Sequence, residues 1–158
     1  MSQMQTLYLG QAGHLLVMSE LLFRGWNVAI PQVDRGDDIF VVKDANGDLK
    51  RVQVKTATGN KLVKGHSAKY SLRIDQLQTP FTPDVHYVFV MRIADGWNKF
   101  IVIDRSTLFD HRINNKIGYE KNGVLQLQIR IHDDKSKCSK VDFTAYLNDW
   151  SKFPIIKH

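Results

Sequence analysis

The stretch DRGDDIFVVKDANGDLKRVQVKT, Asp34 to Thr56, decides how this 158-residue chain is read. Two runs rich in β-branched residues, Asp38 to Lys43 and Leu49 to Thr56, flank Asp44-Ala45-Asn46-Gly47-Asp48. The Asn-Gly pair readily takes positive φ, so the spacing predicts a hairpin. Residues i and i+2 of a strand share a face, so Gln53 and Lys55 project together while Val52 and Val54 face the other way. Closure near Asn46-Gly47 brings the Asp38 end of one strand towards Gln53 and Lys55 on the other. A carboxylate, an amide oxygen and an ammonium then share one site. That set suits phosphodiester hydrolysis: hard oxygen ligands hold Mg²⁺ with most of its waters, and a lysine orients the attacking water or offsets developing negative charge.

Outward from the hairpin, Ala12, Leu15, Leu16, Leu22 and Phe23 recur at helical spacing, predicting a helix over Leu7 to Phe23 that stops at Arg24-Gly25. Trp26 to Ile30, ending at Pro31, reads as a brief strand. Ala57 to Lys69, with Gly59, Gly65 and three lysines, reads as a mobile basic loop. Tyr70 to Ile74 alternates as a short strand, and Asp75 is placed to cap a helical turn ended by Pro80 and Pro83. His86 to Ile93 and Lys99 to Asp104 form a second pair of strands around Ala94-Asp95-Gly96-Trp97-Asn98, and Ser106 caps a short helix through His111. Val124 to Ile131 alternates as a half-buried strand, and His132 to Lys140 reads as a polar turn region. Phe143, Tyr146, Leu147 and Trp150 at i, i+3, i+4 and i+7 predict a closing helix over Asp142 to Trp150. This order gives a mixed α/β chain around a central sheet, one domain over residues 1–158.

Twenty-two Lys and Arg against 16 Asp and Glu leave a formal charge of +6, which favours an anionic partner, with nucleic acid first. The longest apolar runs fall short of the roughly 18 residues of a membrane span. The N-terminus lacks a secretory pattern and the single Cys138 has no disulfide partner, so a cytoplasmic location is expected. No Gly-rich phosphate loop, paired CxxC or HExxH appears, which removes support for nucleotide, zinc-finger and zinc-protease readings.

Two segments, GQAGHLLVMSELLFRGWNVAIPQVDRGDDIFVV from Gly10 to Val42 and RVQVKT from Arg51 to Thr56, resemble the PD-(D/E)XK nuclease superfamily in its QxK variant. The likeness is to the bacterial group that includes cyanobacterial-type, group I intron-encoded homing endonucleases. Gly25, Val28, Pro31, Asp34, Gly36 and Asp38 fall on the family pattern, and Gln53-Val54-Lys55 falls on its catalytic strand. The resemblance implies a restriction-endonuclease-like core, a mixed central sheet flanked by helices. It also implies Asp38 as the main metal carboxylate, Gln53 as second ligand through its side-chain oxygen, Lys55 as catalytic lysine, and Mg²⁺ or Mn²⁺ as cofactor; Asp37 is a poorer substitute for Asp38. The sequence departs from the family at His14, which follows Gly13 where a glutamate is usual. His14 lies on one helical stripe with Gln11, Met18 and Leu21, whereas Glu20 points about 120° away. Imidazole suits Mn²⁺ or Zn²⁺ better than Mg²⁺, so His14 either changes the preferred metal or marks a site that has lost activity.

Taken singly, Asp38 is a turn aspartate, and Gln53 and Lys55 are the polar face of a strand; their joint placement carries the functional reading. The expected partner is DNA. Lys61, Lys64, His66 and Lys69 are either a solubilising loop or phosphate contacts following the catalytic strand, and Arg51 is either an exposed strand residue or a phosphate clamp. Cutting both strands needs two sites, which favours a homodimer or higher homo-oligomer. Two hypotheses stand: a metal-dependent DNA endonuclease, and a degenerate nuclease-fold protein that binds nucleic acid or protein.

Overall fold

The computed structural model describes residues 2–94 and 96–158. Its first element, α1 (Gln3–Phe23), begins earlier than periodicity suggests because Ser2 and Gln5 cap each other: the Gln5 N–H donates to Ser2 Oγ (3.3 Å) and the Ser2 N–H to Gln5 Oε1 (2.9 Å). The brief strand before Pro31 is β1 (Asn27–Ala29), and the hairpin is β2 (Ile39–Lys43) with β3 (Asp48–Thr58). It closes where expected, with Gly47 at φ 72° and its N–H donating to Lys43 O (2.8 Å). The chain continues through β4 (Asn60–Lys61), β5 (His66–Arg73) and α2 (Ile74–Gln78). Next come β6 (Val85–Ile93), β7 (Gly96–Asp104) and α3 (Arg105–Asn114). It ends with β8 (Tyr119–Lys121), β9 (Val124–His132), β10 (Lys135–Cys138), β11 (Val141–Asp142) and a 3₁₀ turn, Thr144–Tyr146. Asp95, within the expected β6–β7 loop, lies outside the described residues.

Two sheets result. The central one runs β1-β2-β3-β6-β7 and is mixed: β3 and β6 are parallel, the other neighbours antiparallel. The second runs β11-β10-β9-β5-β4, with β8 also paired to β9. Each face of the central sheet has its own core. Val17 and Leu21 of α1 pack with Ile39, Val41, Val52, Val88 and Val90 on one side. On the other, Tyr87, Phe89 and Met91 meet Tyr70, Leu72, Leu125 and Leu127 of the second sheet, with Leu77 of α2 and Leu108 of α3 closing one end. The mixed sheet flanked by helices is thus present, with a second sheet added to the α2–α3 side. No described helix is long and apolar enough to cross a membrane.

Several local expectations are corrected. Ala57 to Lys69 is not a mobile loop: β3 runs to Thr58, β4 follows, and β5 starts at His66 with Ser67 and Ala68 buried against β9. Gly65 permits this tight return; at φ 74° it passes so near β9 that a Cβ would sit 2.1 Å from Ile131 O. His132 to Lys140 contains β10, whose Ser136 and Cys138 alternate inward. Asp75 lies inside the first turn of α2, whose cap is Arg73, and α3 is capped by Asp104, which accepts from Thr107 N (2.8 Å), not by Ser106. The closing helix is absent. Asn148 instead exchanges hydrogen bonds with Phe100 of β7 (2.7 and 2.9 Å), so the chain crosses the sheet edge and sends Phe143 into one core and Trp150 into the other.

Candidate active site

The loop into β2 positions the site. Asp34 Oδ1 accepts the Gly36 N–H (2.8 Å), closing an Asx turn that holds Gly36 at φ 101°. Asp37 is 2% exposed and ion-paired with Arg51 (3.0 Å), whose guanidinium also lies over the rings of Phe40 and Phe81. These contacts fix the chain so that Asp38 enters the sheet: its N–H donates to Val52 O (2.8 Å) and its Oδ2 accepts from Val54 N (2.7 Å). Asp38 therefore sits beside Gln53, across the hairpin.

Gln53 is 5% exposed. Its amide satisfies both ends when the nitrogen donates to Gly36 O (3.2 Å) and the oxygen accepts from Lys55 Nζ (3.3 Å). A second lone pair on that oxygen remains for another partner. Burial raises the pKa of Asp38, against the lowering influence of the Val54 N–H, His14 and Lys55. Burial likewise lowers that of Lys55, opposed by Asp38 and Asp34. Tyr87, opposite Gln53 on β6, is pushed up to about 12 by burial and stays a neutral phenol.

α1 supplies His14 through a close helix–strand contact. A Cβ on Gly13 would lie 2.0 Å from Thr56 Oγ1, so only glycine lets α1 rest against β3 one residue past Lys55. His14 is half-buried and its Nε2 has no hydrogen-bond partner among the described residues. Gln11 is exposed, and Glu20 is engaged by Arg24 (2.9 Å). Among the described residues no three His, Cys, Asp or Glu side chains converge as a metal cluster. The donor set here is one carboxylate, one amide oxygen and one imidazole with a free nitrogen. The two hard oxygens fit a cation that keeps most of its waters.

The expected DNA contacts divide into three groups. Lys61, Lys64 and His66 line one cavity of about 340 Å³ with Lys99 and His132. Lys69 projects from the outer face of β5, opposite Gln128. Arg51 is occupied by Asp37 and two aromatic rings, so its place is structural. Sequence reading missed Arg35 and Arg73, which with Asp34, Gln76 and Phe81 line a cleft of about 260 Å³ that shares Asp34 with the site. No spacing signal links them, since Arg35 lies in the loop before β2 and Arg73 at the far end of β5.

The sequence model of a family described as PD-(D/E)XK endonuclease matches residues 4–122. The structure is similar to that of a bacterial homing endonuclease, I-Ssp6803I, with a TM-score of 0.57 and 19% identity, covering 91% of this chain and 87% of that one. No curated protein matches the sequence.

Proposed function

Since the chain belongs to the PD-(D/E)XK endonuclease family, whose members generally use divalent metals, we propose that it is a metal-dependent endodeoxyribonuclease that hydrolyses phosphodiester bonds. The observation that carries this reading is the convergence of Asp38, Gln53 and Lys55 at one half-buried point, joined by the 2.7 Å Val54 N–H to Asp38 contact and the 3.3 Å Gln53 to Lys55 contact. Asp38 and the Gln53 oxygen would hold Mg²⁺ or Mn²⁺, with His14 Nε2 as a further ligand when the ion is Mn²⁺. A bound ion supplies charge neutralisation at the phosphate and a more acidic water. Lys55 donates to the phosphate oxygens or to the attacking water, and the Gln53 oxygen holds its ammonium in place within the field of Asp38. Gly36 O fixes the Gln53 amide so that its oxygen, not its nitrogen, faces the reacting centre.

Lys61, Lys64 and His66 suit phosphate contacts further along the same duplex. Lys61 lies six residues beyond Lys55, at strand rise at most roughly 20 Å away, a span of up to about six base pairs. A homodimer fits the exposed outer stripe of α1: Tyr8 (71%), Leu15 (53%) and Leu22 (53%) recur every seven residues, with no charged side chain before Glu20.

The test is plasmid cleavage in Mg²⁺, Mn²⁺ or chelator, with Asp38→Ala, Lys55→Ala and His14→Glu alongside. Metal-dependent cutting by the native chain, lost in the two alanine variants, is the expected result. Cutting only after His14→Glu would identify a degenerate site and move the function to nucleic-acid or protein binding. Silence in every variant would refute the nuclease reading.

A further inference from the structure

The second sheet turns one face to the core and one outward, and nothing in the active site accounts for the outward one. Alternation buries Tyr70 and Leu72 of β5 and Leu125, Leu127 and Ile129 of β9, so the intervening residues project into solvent. On β9, flanked by β5 on one edge and by β8 and β10 on the other, these are Gln126, Gln128 and Arg130. The register sets Lys69 beside Gln128, Lys137 beside Arg130, and Tyr119, 67% exposed, beside Gln126. Two amides thus occupy the middle of the face, with cations to either side.

Carboxylates are confined to its margins: Asp75 is paired with Arg73 at the end of β5, and Asp142 stands on edge strand β11 opposite Lys137. Among the described residues, Lys69, Arg130 and Lys137 enter no salt bridge. A face that served only solubility would gain from mixed signs and cross-strand ion pairs. Among the described residues, Lys69 and Arg130 of this face have no carboxylate opposite them, and Lys137 alone faces one, Asp142.

We infer that this outer face is a DNA-reading surface that enters the major groove, with Gln126 and Gln128 at base edges and Lys69, Arg130 and Lys137 at the flanking phosphates. The inference rests on the reading of the chain as acting on DNA. The dimensions allow it: the three rows that carry these side chains, on β5, β9 and β10, span about 10 Å at about 4.8 Å per strand, within the roughly 12 Å width of the major groove. Gln pairs bidentately with adenine N6 and N7, and cations on the adjacent rows reach the phosphates that border the groove. The face also leads to the active site. Arg73, the last residue of β5, lines the cleft that shares Asp34 with Asp38 and Lys55, four residues or roughly 13 Å along the strand from Lys69.

The experiment is fluorescence-anisotropy titration of the full chain with duplex DNA across a KCl series, in Ca²⁺ in place of Mg²⁺. A site selected from a randomised duplex pool is compared with an unselected duplex. The variants are Lys69→Ala/Arg130→Ala/Lys137→Ala and Gln126→Ala/Gln128→Ala, both altering exposed side chains and both checked for parental circular dichroism and Tm. The triple variant is expected to lower the slope of log affinity against log salt by roughly 2 to 3. The glutamine variant is expected to keep that slope and to lose about tenfold or more in preference for the selected site. A parental slope in the triple variant, or undiminished preference in the glutamine variant, overturns this inference and leaves the nuclease reading standing. Absence of DNA binding by the native chain overturns both.

Discussion

Replacing Gly13 by alanine tests the contact that seats α1 on β3. The new Cβ would lie 2.0 Å from Thr56 Oγ1, 2.7 Å from its Cγ2 and 2.8 Å from its Cβ. Rotating Thr56 about χ1 moves the first two atoms and leaves the third, whereas ordinary carbon contacts need about 3.5 Å or more. The helix must therefore retreat from β3 by roughly 0.7 Å, carrying His14 with it. Overpacking costs about 1–3 kcal/mol, here about 2–3 because all three contacts fall below 3.0 Å, and the higher helix propensity of alanine returns about 1 kcal/mol. The net expectation is a loss of about 1–2 kcal/mol, or roughly 2–8 °C in Tm for a chain of this size. Thr56→Ala alone is expected to be near neutral, because its buried hydroxyl has no partner. In the Gly13→Ala background it removes the two shorter contacts and should recover more than half the loss. Urea titrations of the four proteins give the coupling directly. Gly13→Ala as stable as the parent, or effects that add within about 0.5 kcal/mol, would refute the packing described here.

Three further outcomes follow from the site. Asp38→Asn should stabilise the metal-free protein at pH 7. Burial raises the Asp38 pKa above its ordinary 3.8, so the ionised form penalises the native state once pH exceeds that range. The gain should vanish as pH falls below 3.8, where the acid is neutral in both states; thermal melts from pH 3 to 7 would show it, and a gain that persisted at pH 3 would contradict the assignment. Arg51→Ala should cost about 3 kcal/mol by leaving the buried Asp37 carboxylate unpaired, with little change in the salt dependence of DNA binding; denaturation and binding titrations separate the two. Lys61→Ala/Lys64→Ala should do the reverse, leaving Tm unchanged and lowering the salt slope by about 2.

The site was more legible in the sequence than the fold around it, for a physical reason. Asp38, Gln53 and Lys55 meet through a hairpin whose turn, Asn46-Gly47, and whose strand alternation are both local signals. The second sheet depends on β5 pairing with β9, nearly sixty residues away, and the lysines and glycines of residues 57–69 outweigh its short buried run of Ser67 and Ala68. The stripe of Phe143, Tyr146, Leu147 and Trp150 mimics a helix because two separate cores each take an aromatic from the same segment. Arg51 shows the limit at the site itself. Its charge suggests a phosphate contact, and only the tertiary positions of Asp37, Phe40 and Phe81 reveal that it is already engaged. His14 was visible as a departure from the family pattern, but its unpartnered Nε2 could be seen only once Gly13 had set the depth of α1 against β3.

The central claim is that Asp38, Gln53 and Lys55 form one hydrolytic centre, and the most direct measurement separates chemistry from binding. Native protein and Lys55→Ala are loaded onto supercoiled plasmid in Ca²⁺ to equal occupancy, Mg²⁺ or Mn²⁺ is added in excess, and nicking is followed over a single turnover. The expected result is nicking by the native protein and a rate reduced by at least about a hundredfold in Lys55→Ala, the scale of losing one positioned catalytic group. Equal rates for the two proteins would contradict the account.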